Sequence, residues 1–247
     1  NHMADALERN EYLRRKLVAD AAHELRTPLT NLRGYMEGLA DGVLAADGRT
    51  LELLQGELMR LSRLVDDLHS LSEAEAGGLE LAWQTVDLAD IIDRELTLAH
   101  PMIERAGIHG ERTLDAAAPH VPGDPDRLAR ALRNLLENGC RFTPAGGELQ
   151  VATQRTGAGV AIRVTNTGST IAPEDLPYIF ERFYRTERAR SRATGGAGIG
   201  LAIVRELVEA HGGRVAAEST DHTTSISLEL PSGTATETPS TGLAPPR

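Results

Sequence analysis

Aromatic residues are scarce: 3 Phe, 4 Tyr and 1 Trp, or 3% of a 247-residue chain. A core built mainly on rings is excluded, and the abundant Leu, Ala and Val favour helix-rich packing. Cys140 is the only cysteine, which rules out an internal disulfide and fits a reducing compartment. Basic residues are outnumbered, 26 against 36 acidic, for a net charge of −10 and a pI near 5.3. A duplex-binding surface therefore has no global electrostatic support, and no direct nucleic-acid binding is expected. No apolar run approaches the roughly 18 residues needed to span a bilayer, and no signal peptide is visible. Residues 1–3, Asn-His-Met, read as a cloning remnant, so the expectation is an excised fragment.

The length leaves room for one large or two modest domains. From Ala4 to about Asp41 the only proline is Pro28, and Leu7, Leu13, Leu17, Ala21, Leu25, Leu32, Met36 and Leu39 recur at helical spacing. Such a helix would be about 55 Å long at 1.5 Å per residue, a rod that needs a partner. Pro28 removes one backbone donor and predicts a bend. Asp41-Gly42 and Asp47-Gly48 bracket a turn. A second helix, from about Thr50 to Ala74, carries a heptad seam of Leu51, Leu54, Leu58, Leu61, Val65 and Leu68, widened by Leu64 and Leu71. Two copies of such a hairpin bury the stripe as a four-helix bundle, so a homodimer is expected. The alternative is that the stripe packs on the chain's own C-terminal half.

Glu75-Ala76-Gly77-Gly78 reads as a joint between a hairpin at 4–76 and a second domain at 77–232. Strands are expected at 81–86, 108–114, 148–153, 160–166, 214–219 and 224–230. Helices are expected at 88–106, kinked or split by Pro101, at 126–140 with Asp126 at its start, and at 199–211. The segment before Gly123-Asp124-Pro125 reads as a loop. Helices on one face of a mixed or antiparallel sheet make an α+β sandwich. Residues 233–247, rich in Pro, Thr, Gly and Ser, are expected to be a disordered tail.

Chemistry-bearing residues cluster in two places. His23 and Thr27 stand four apart on one helix face, and Glu24 lies about a quarter-turn away, within reach of one imidazole nitrogen. A lone histidine there would be ordinary surface. Further on, Asn134 and Asn138 share a helix face while Leu135 and Leu136 turn to the core. Gly196, Gly198 and Gly200 lead into a helix, where backbone amides can approach phosphates. No Gly-Lys-Ser/Thr follows and no strand directly precedes, so neither a P-loop nor a dinucleotide fingerprint is present.

The run His23-Glu24-Leu25-Arg26-Thr27-Pro28-Leu29 resembles the phospho-acceptor box of two-component sensor histidine kinases. Asn134 to Thr143 resembles their N box, Asn166 to Ile171 their Asp-x-Gly-x-Gly box, Pro177 to Arg185 their F box, and Gly196 to Val204 their last glycine box. The resemblance covers about Ala4 to Pro231, with the boxes in the family's order. It implies an α-helical hairpin forming a dimeric four-helix bundle, followed by an α+β sandwich of the histidine kinase/gyrase/MutL ATPase type. It further implies ATP and Mg²⁺, with Asn138 ligating the metal and Asn134 assisting. Arg141 and Arg185 would face phosphates, Phe142 the base, and Gly196, Gly198, Gly200 and Leu201 the lid. His23 would be phosphorylated with Glu24 assisting, and Thr27 would position water for dephosphorylating a response regulator's receiver domain. Arg188, Arg190 and Arg192 would belong to the lid. Two departures stand out: Asn166 replaces the Asp that accepts the adenine amino proton, and Thr170 replaces the second Gly, while Gly168 is kept. They imply weakened or retuned ATP binding. The parent protein is expected to be membrane-anchored through an upstream sensor and linker, with this part in the cytoplasm. A phosphatase-biased pseudokinase or a noncatalytic dimeric scaffold remain alternatives, and the sequence leaves open whether phosphorylation is in cis or in trans. A gyrase- or MutL-like ATPase is disfavoured, since those lack the acceptor hairpin.

Overall fold

The computed structural model describes residues 2–75, 80–116, 120–187, 189 and 196–232. The expected joint at 76–78, Arg188, Arg190, Arg192 and the tail at 233–247 lie outside the described residues.

Helix α1 (His2–Ala40) and helix α2 (Gly48–Glu75) form the hairpin. Neither they nor the other described helices are long and apolar enough to cross a membrane. Helix α1 continues through Pro28. At its end the Val43 and Leu44 amides donate to the Gly38 carbonyl at 2.9 and 2.8 Å, and Gly42 takes φ +70°. Only a glycine fits at position 38 without displacing Leu44, because a Cβ there would lie 2.9 Å from its Cδ1. Asp47 caps α2 by accepting the Thr50 amide at 2.9 Å. Midway along, Asn31 donates to Glu57 at 2.9 Å and ties the two helices together.

The second domain holds a five-stranded sheet in the order β2-β4-β5-β7-β6: β2 (His109–Thr113), β4 (Glu148–Arg155), β5 (Gly159–Thr167), β6 (Arg214–Ser219) and β7 (Thr223–Pro231). Only β2 and β4 pair in parallel. Helices α3 (Leu88–Ala106), α4 (Pro125–Phe142) and α5 (Gly200–Ala210) bury Leu132, Leu135, Leu136, Ile203 and Leu207 against Leu149, Val151, Ile162, Ile226 and Leu228. Side chains of β7 alternate between buried and half-buried, as expected of an antiparallel strand covered on one face. The α+β sandwich is as the pattern required.

Three details differ from the sequence reading. The presumed loop before Asp124 contains a strand, β3 (His120–Gly123), paired antiparallel with β1 (Gln84–Asp87). Its four residues include Pro122, which hides it from pattern reading. Asp124 caps α4, with Pro125 as the first helical residue; its Oδ1 accepts the Asp126 and Arg127 amides at 3.0 and 3.1 Å. Helix α3 is not split by Pro101, and the carbonyl it leaves unpaired belongs to exposed Thr97, where water can serve it.

Leu64 (5% exposed) and Leu71 (1%) do not add to a dimer seam but join the second domain's core, where α2 packs on α5. Arg130 of α4 reaches across to Ser70 and to the Asp66 carbonyl, and lies 3.3 Å from Asp67. Burial raises the Asp67 carboxyl's pKa in spite of that guanidinium. The reading of α2's stripe thus divides by face: Leu64 and Leu71 are taken up within the chain, while Leu51, Leu58 and Val65 remain exposed.

His211, 1% exposed, joins α5 to the start of α4: its Nε2 accepts the Asp124 amide at 2.9 Å and its Nδ1 donates to the Leu207 carbonyl at 2.7 Å. That pattern requires the neutral ring. Burial pulls the imidazole pKa down, outweighing the Leu207 carbonyl and the Asp124 carboxylate. With the folded pKa lowered, the unfolded chain binds the extra proton first, so the stabilisation is complete above about 6.5 and is lost as pH falls. Thermal unfolding between pH 5 and 7 should therefore show a loss of stability on acidification. His211→Gln, which can make both bonds without titrating, should flatten it; identical pH profiles would exclude this role.

Candidate nucleotide site

Between the hairpin and the second domain lies a cavity of about 590 Å³. Asn134, Asn138, Arg141 and Phe142 line it from α4, Asn166 and Gly168 from the end of β5, and Gly196, Gly198, Gly200 and Leu201 from the approach to α5. Arg185 and Glu24 line it too. Among the described residues, the structure thus gathers these expected nucleotide residues in one place. His23 and Thr27 do not line it; both are exposed on α1, His23 directly before Glu24.

Local structure explains the convergence. Leu135 and Leu136 are buried under α4, which turns Asn134 and Asn138 outward to the cavity. Gly198 takes φ +74°, and a Cβ there would sit 2.7 Å from the Tyr184 carbonyl. The Gly198 carbonyl accepts the Phe183 amide at 2.8 Å, and Phe183 itself stands at φ +61°, a costly conformation for an aromatic. Phe180 is buried, so this segment is anchored to the core as expected. Gly168, at φ +77°, packs on Pro144. Beside Gly196 lies the Arg141 guanidinium, which any side chain at 196 would displace.

Desolvation lowers the pKa of Arg141, with Arg63, Arg185 and Arg60 adding repulsion and Glu137 opposing them. Three further guanidinium groups thus lie close enough to Arg141 to repel it, and Glu137, 3.6 Å from Arg63, opposes them. A polyanion would relieve that repulsion. Two buried amide nitrogens, Asn134 Nδ2 and Asn166 Nδ2, lack a partner among the described residues. The Cys140 thiol, buried on the far side of α4's polar face, is pushed up to about 11 and is inert at neutral pH. Among the described residues no group of three or more His, Cys, Asp or Glu could hold a metal. The amide pair is instead the kind of sparse, hard-oxygen donor set that suits Mg²⁺ when phosphates supply the remaining ligands.

Sequence reasoning missed Arg60, Arg63, Glu57 and Thr224, which also line the cavity. Thr224 is the cross-strand partner of Asn166. The first three sit on α2 among similar solvent-facing residues, with no sequence signal to single them out.

Residues 13–77 match the family model "His Kinase A (phospho-acceptor) domain", and residues 123–234 match "Histidine kinase-, DNA gyrase B-, and HSP90-like ATPase". The signal transduction histidine-protein kinase BaeS of Escherichia coli strain K12 is 40% identical over 232 residues, covering 94% of this chain and 50% of BaeS. The chain belongs to the sensor histidine kinases. The structure of histidine kinase AdeS from Acinetobacter baumannii is similar with a TM-score of 0.73 at 27% identity, covering 86% of this chain and 98% of that one. Histidine kinase ThkA, solved in complex with the response regulator TrrA, shares the fold at a TM-score of 0.73 and 24% identity, covering 94% of this chain and 66% of that one. The chain spans about half the length of BaeS and 48% of the E. coli sensor histidine kinase CusS. This chain thus joins a phospho-acceptor module, which is a dimerisation module, to an ATPase domain.

Proposed function

We propose that this chain is the cytoplasmic catalytic part of a membrane-anchored sensor, which phosphorylates His23 from ATP and passes the phosphoryl group to an aspartate of a response regulator. The observation that carries the reading is the shared cavity: Glu24 of the acceptor turn and the Asn134/Asn138 face line the same space within one chain. Arg141, Arg185 and the amides near Gly196, Gly198 and Gly200 would hold the triphosphate, with Arg60 and Arg63 facing it from the hairpin. Mg²⁺, held by the Asn138 carbonyl with Asn134 beside it, would neutralise charge on the β- and γ-phosphates.

An unprotonated ring nitrogen of His23 attacks the γ-phosphorus as the bond to the bridging oxygen breaks, and ADP leaves. Glu24 accepts the ring's other N–H and stabilises the imidazolium charge that develops. Arg141 and Arg185 offset the charge on the transferring group. His23 is exposed and ready to meet a receiver domain once phosphorylated, and Thr27, one turn on, would position water for dephosphorylating that receiver domain. The test is incubation with γ-labelled ATP and Mg²⁺. Acid-labile, base-stable label is expected; a folded protein that takes up none would turn the reading to the phosphatase-biased or scaffold alternatives.

Homodimerisation would cover Leu51, Leu58 and Val65, which recur every seven residues on the exposed face of α2, together with Leu29 and Met36 of α1. Leu58→Glu with Val65→Glu should convert the dimer to monomers by light scattering while leaving the ATPase domain folded. A double variant that stays dimeric at micromolar concentration would place the interface elsewhere.

A further inference from the structure

Asn166 is 8% exposed, and its Nδ2 has no partner among the described residues. Its cross-strand neighbour cannot help, because Thr224 Oγ1 donates to the Ser169 carbonyl at 2.7 Å and shares a 3.0 Å contact with Ser219 Oγ. A buried amide left this way is costly, and a ligand that completes it recovers the cost. The cavity's lining is chemically mixed. Arg141, Arg185 and the Gly196–Gly200 backbone suit phosphate, while Asn166, Ile171 and Thr224 suit an uncharged polar edge.

An amide and a carboxylate read a base differently. A carboxylate offers only acceptors, and a half-turn about χ2 leaves it unchanged. An asparagine amide offers one acceptor and one donor side by side, and the same half-turn exchanges them. In one setting it matches the 6-amino group and N1 of adenine, an N–H donor beside an acceptor. In the other it matches O6 and N1–H of guanine or hypoxanthine, in the same base position. A carboxylate in that position would set an oxygen against O6.

Resting on the nucleotide reading above, we infer that Asn166 reads the purine edge through a reversible amide, so that the site takes 6-oxopurine triphosphates as well as ATP. Thr224 and Ser219, locked to each other and to the Ser169 carbonyl, hold the floor of the site while the Asn166 amide turns.

The experiment compares His23 labelling by γ-labelled ATP, GTP and inosine triphosphate for the wild-type chain and Asn166→Asp. A bidentate edge pair typically discriminates by about tenfold or more, so the wild type should use inosine triphosphate within about tenfold of ATP. Relative to its own rate with ATP, whatever that is, Asn166→Asp should lose at least a further tenfold against the 6-oxopurines. Inosine triphosphate lacks the 2-amino group and separates edge reading from steric exclusion of guanine. Wild-type discrimination beyond about tenfold against inosine triphosphate, or an unchanged ratio in Asn166→Asp, would overturn the inference. Should the variant fail to fold, wild-type affinities for ADP and inosine diphosphate by calorimetry decide on the same tenfold criterion. Transfer from no nucleotide at all by a folded wild-type protein would sink the kinase reading instead, and is thereby distinguished.

Discussion

His23→Gln should abolish transfer of label from γ-labelled ATP while leaving nucleotide binding intact, and Asn138→Ala should weaken both. The two substitutions remove different halves of one event. His23 is exposed on α1 and does not line the cavity, so its loss takes away the nucleophile and no contact with the bound nucleotide. Asn138 lines the cavity from α4, and its carbonyl oxygen is the Mg²⁺ donor proposed above. Without it, the phosphate charge is left to Arg141, Arg185 and the hairpin arginines. Removing one preorganised group that stabilises transition-state charge typically costs about 10²–10³-fold in rate, and a loss of that order is expected in the labelling rate. Calorimetry with ADP or ATP separates the two variants. Wild-type affinity in His23→Gln together with weakened binding in Asn138→Ala is the expected pair. Label retained in His23→Gln would mean another residue accepts the phosphoryl group.

Much of this was legible before the structure, for physical reasons. Long helices declare themselves by period, and α1 and α2 begin and end within a few residues of where Leu spacing and the Asp-Gly turns placed them. The N box was legible because burial of Leu135 and Leu136 forces Asn134 and Asn138 to the opposite side of α4. What stayed hidden depended on neighbours distant in sequence. β3 is too short and proline-bearing to show a period, and exists because β1 pairs with it. The Asp at the start of α4 was read two residues late, since Asp124 and Asp126 look alike until Asp124 is seen to accept two helix amides and the Ala82 amide at 2.9 Å. Leu64 and Leu71 lie one residue off the seam that carries Leu51, Leu58 and Val65, and a helix turns that offset into a different face. That face meets α5. Arg60 and Arg63 became part of the site only through this docking.

The same docking bears on which chain serves which. Mixed dimers that pair a His23→Gln chain with an Asn138→Ala chain should show no label above either homodimer. In the structure the nucleotide cavity of one chain is completed by Glu24, Arg60 and Arg63 of that chain's own hairpin. The arrangement is held at several points: Arg63 lies 3.6 Å from Glu137, Arg130 bonds Ser70 and the Asp66 carbonyl, and Leu64 and Leu71 are buried against the ATPase domain. Moving the nucleotide to the partner's acceptor turn would break these contacts and expose two buried leucines, at a cost of about 1.5–3 kcal/mol for each side chain. Bringing it to His23 of its own chain asks only for a local shift, since Glu24 already faces the cavity. Intrachain transfer then predicts that an intact His23 beside a damaged site stays unlabelled, even with an intact site across the dimer. A second mixture, wild type with a chain carrying both substitutions, should keep its label on the wild-type chain and proves that exchanged dimers are active. Differently tagged chains recovered together show that exchange took place. Label on the Asn138→Ala chain of the first mixture would overturn the intrachain assignment, and would mean that the hairpin contacts seen here open before each transfer.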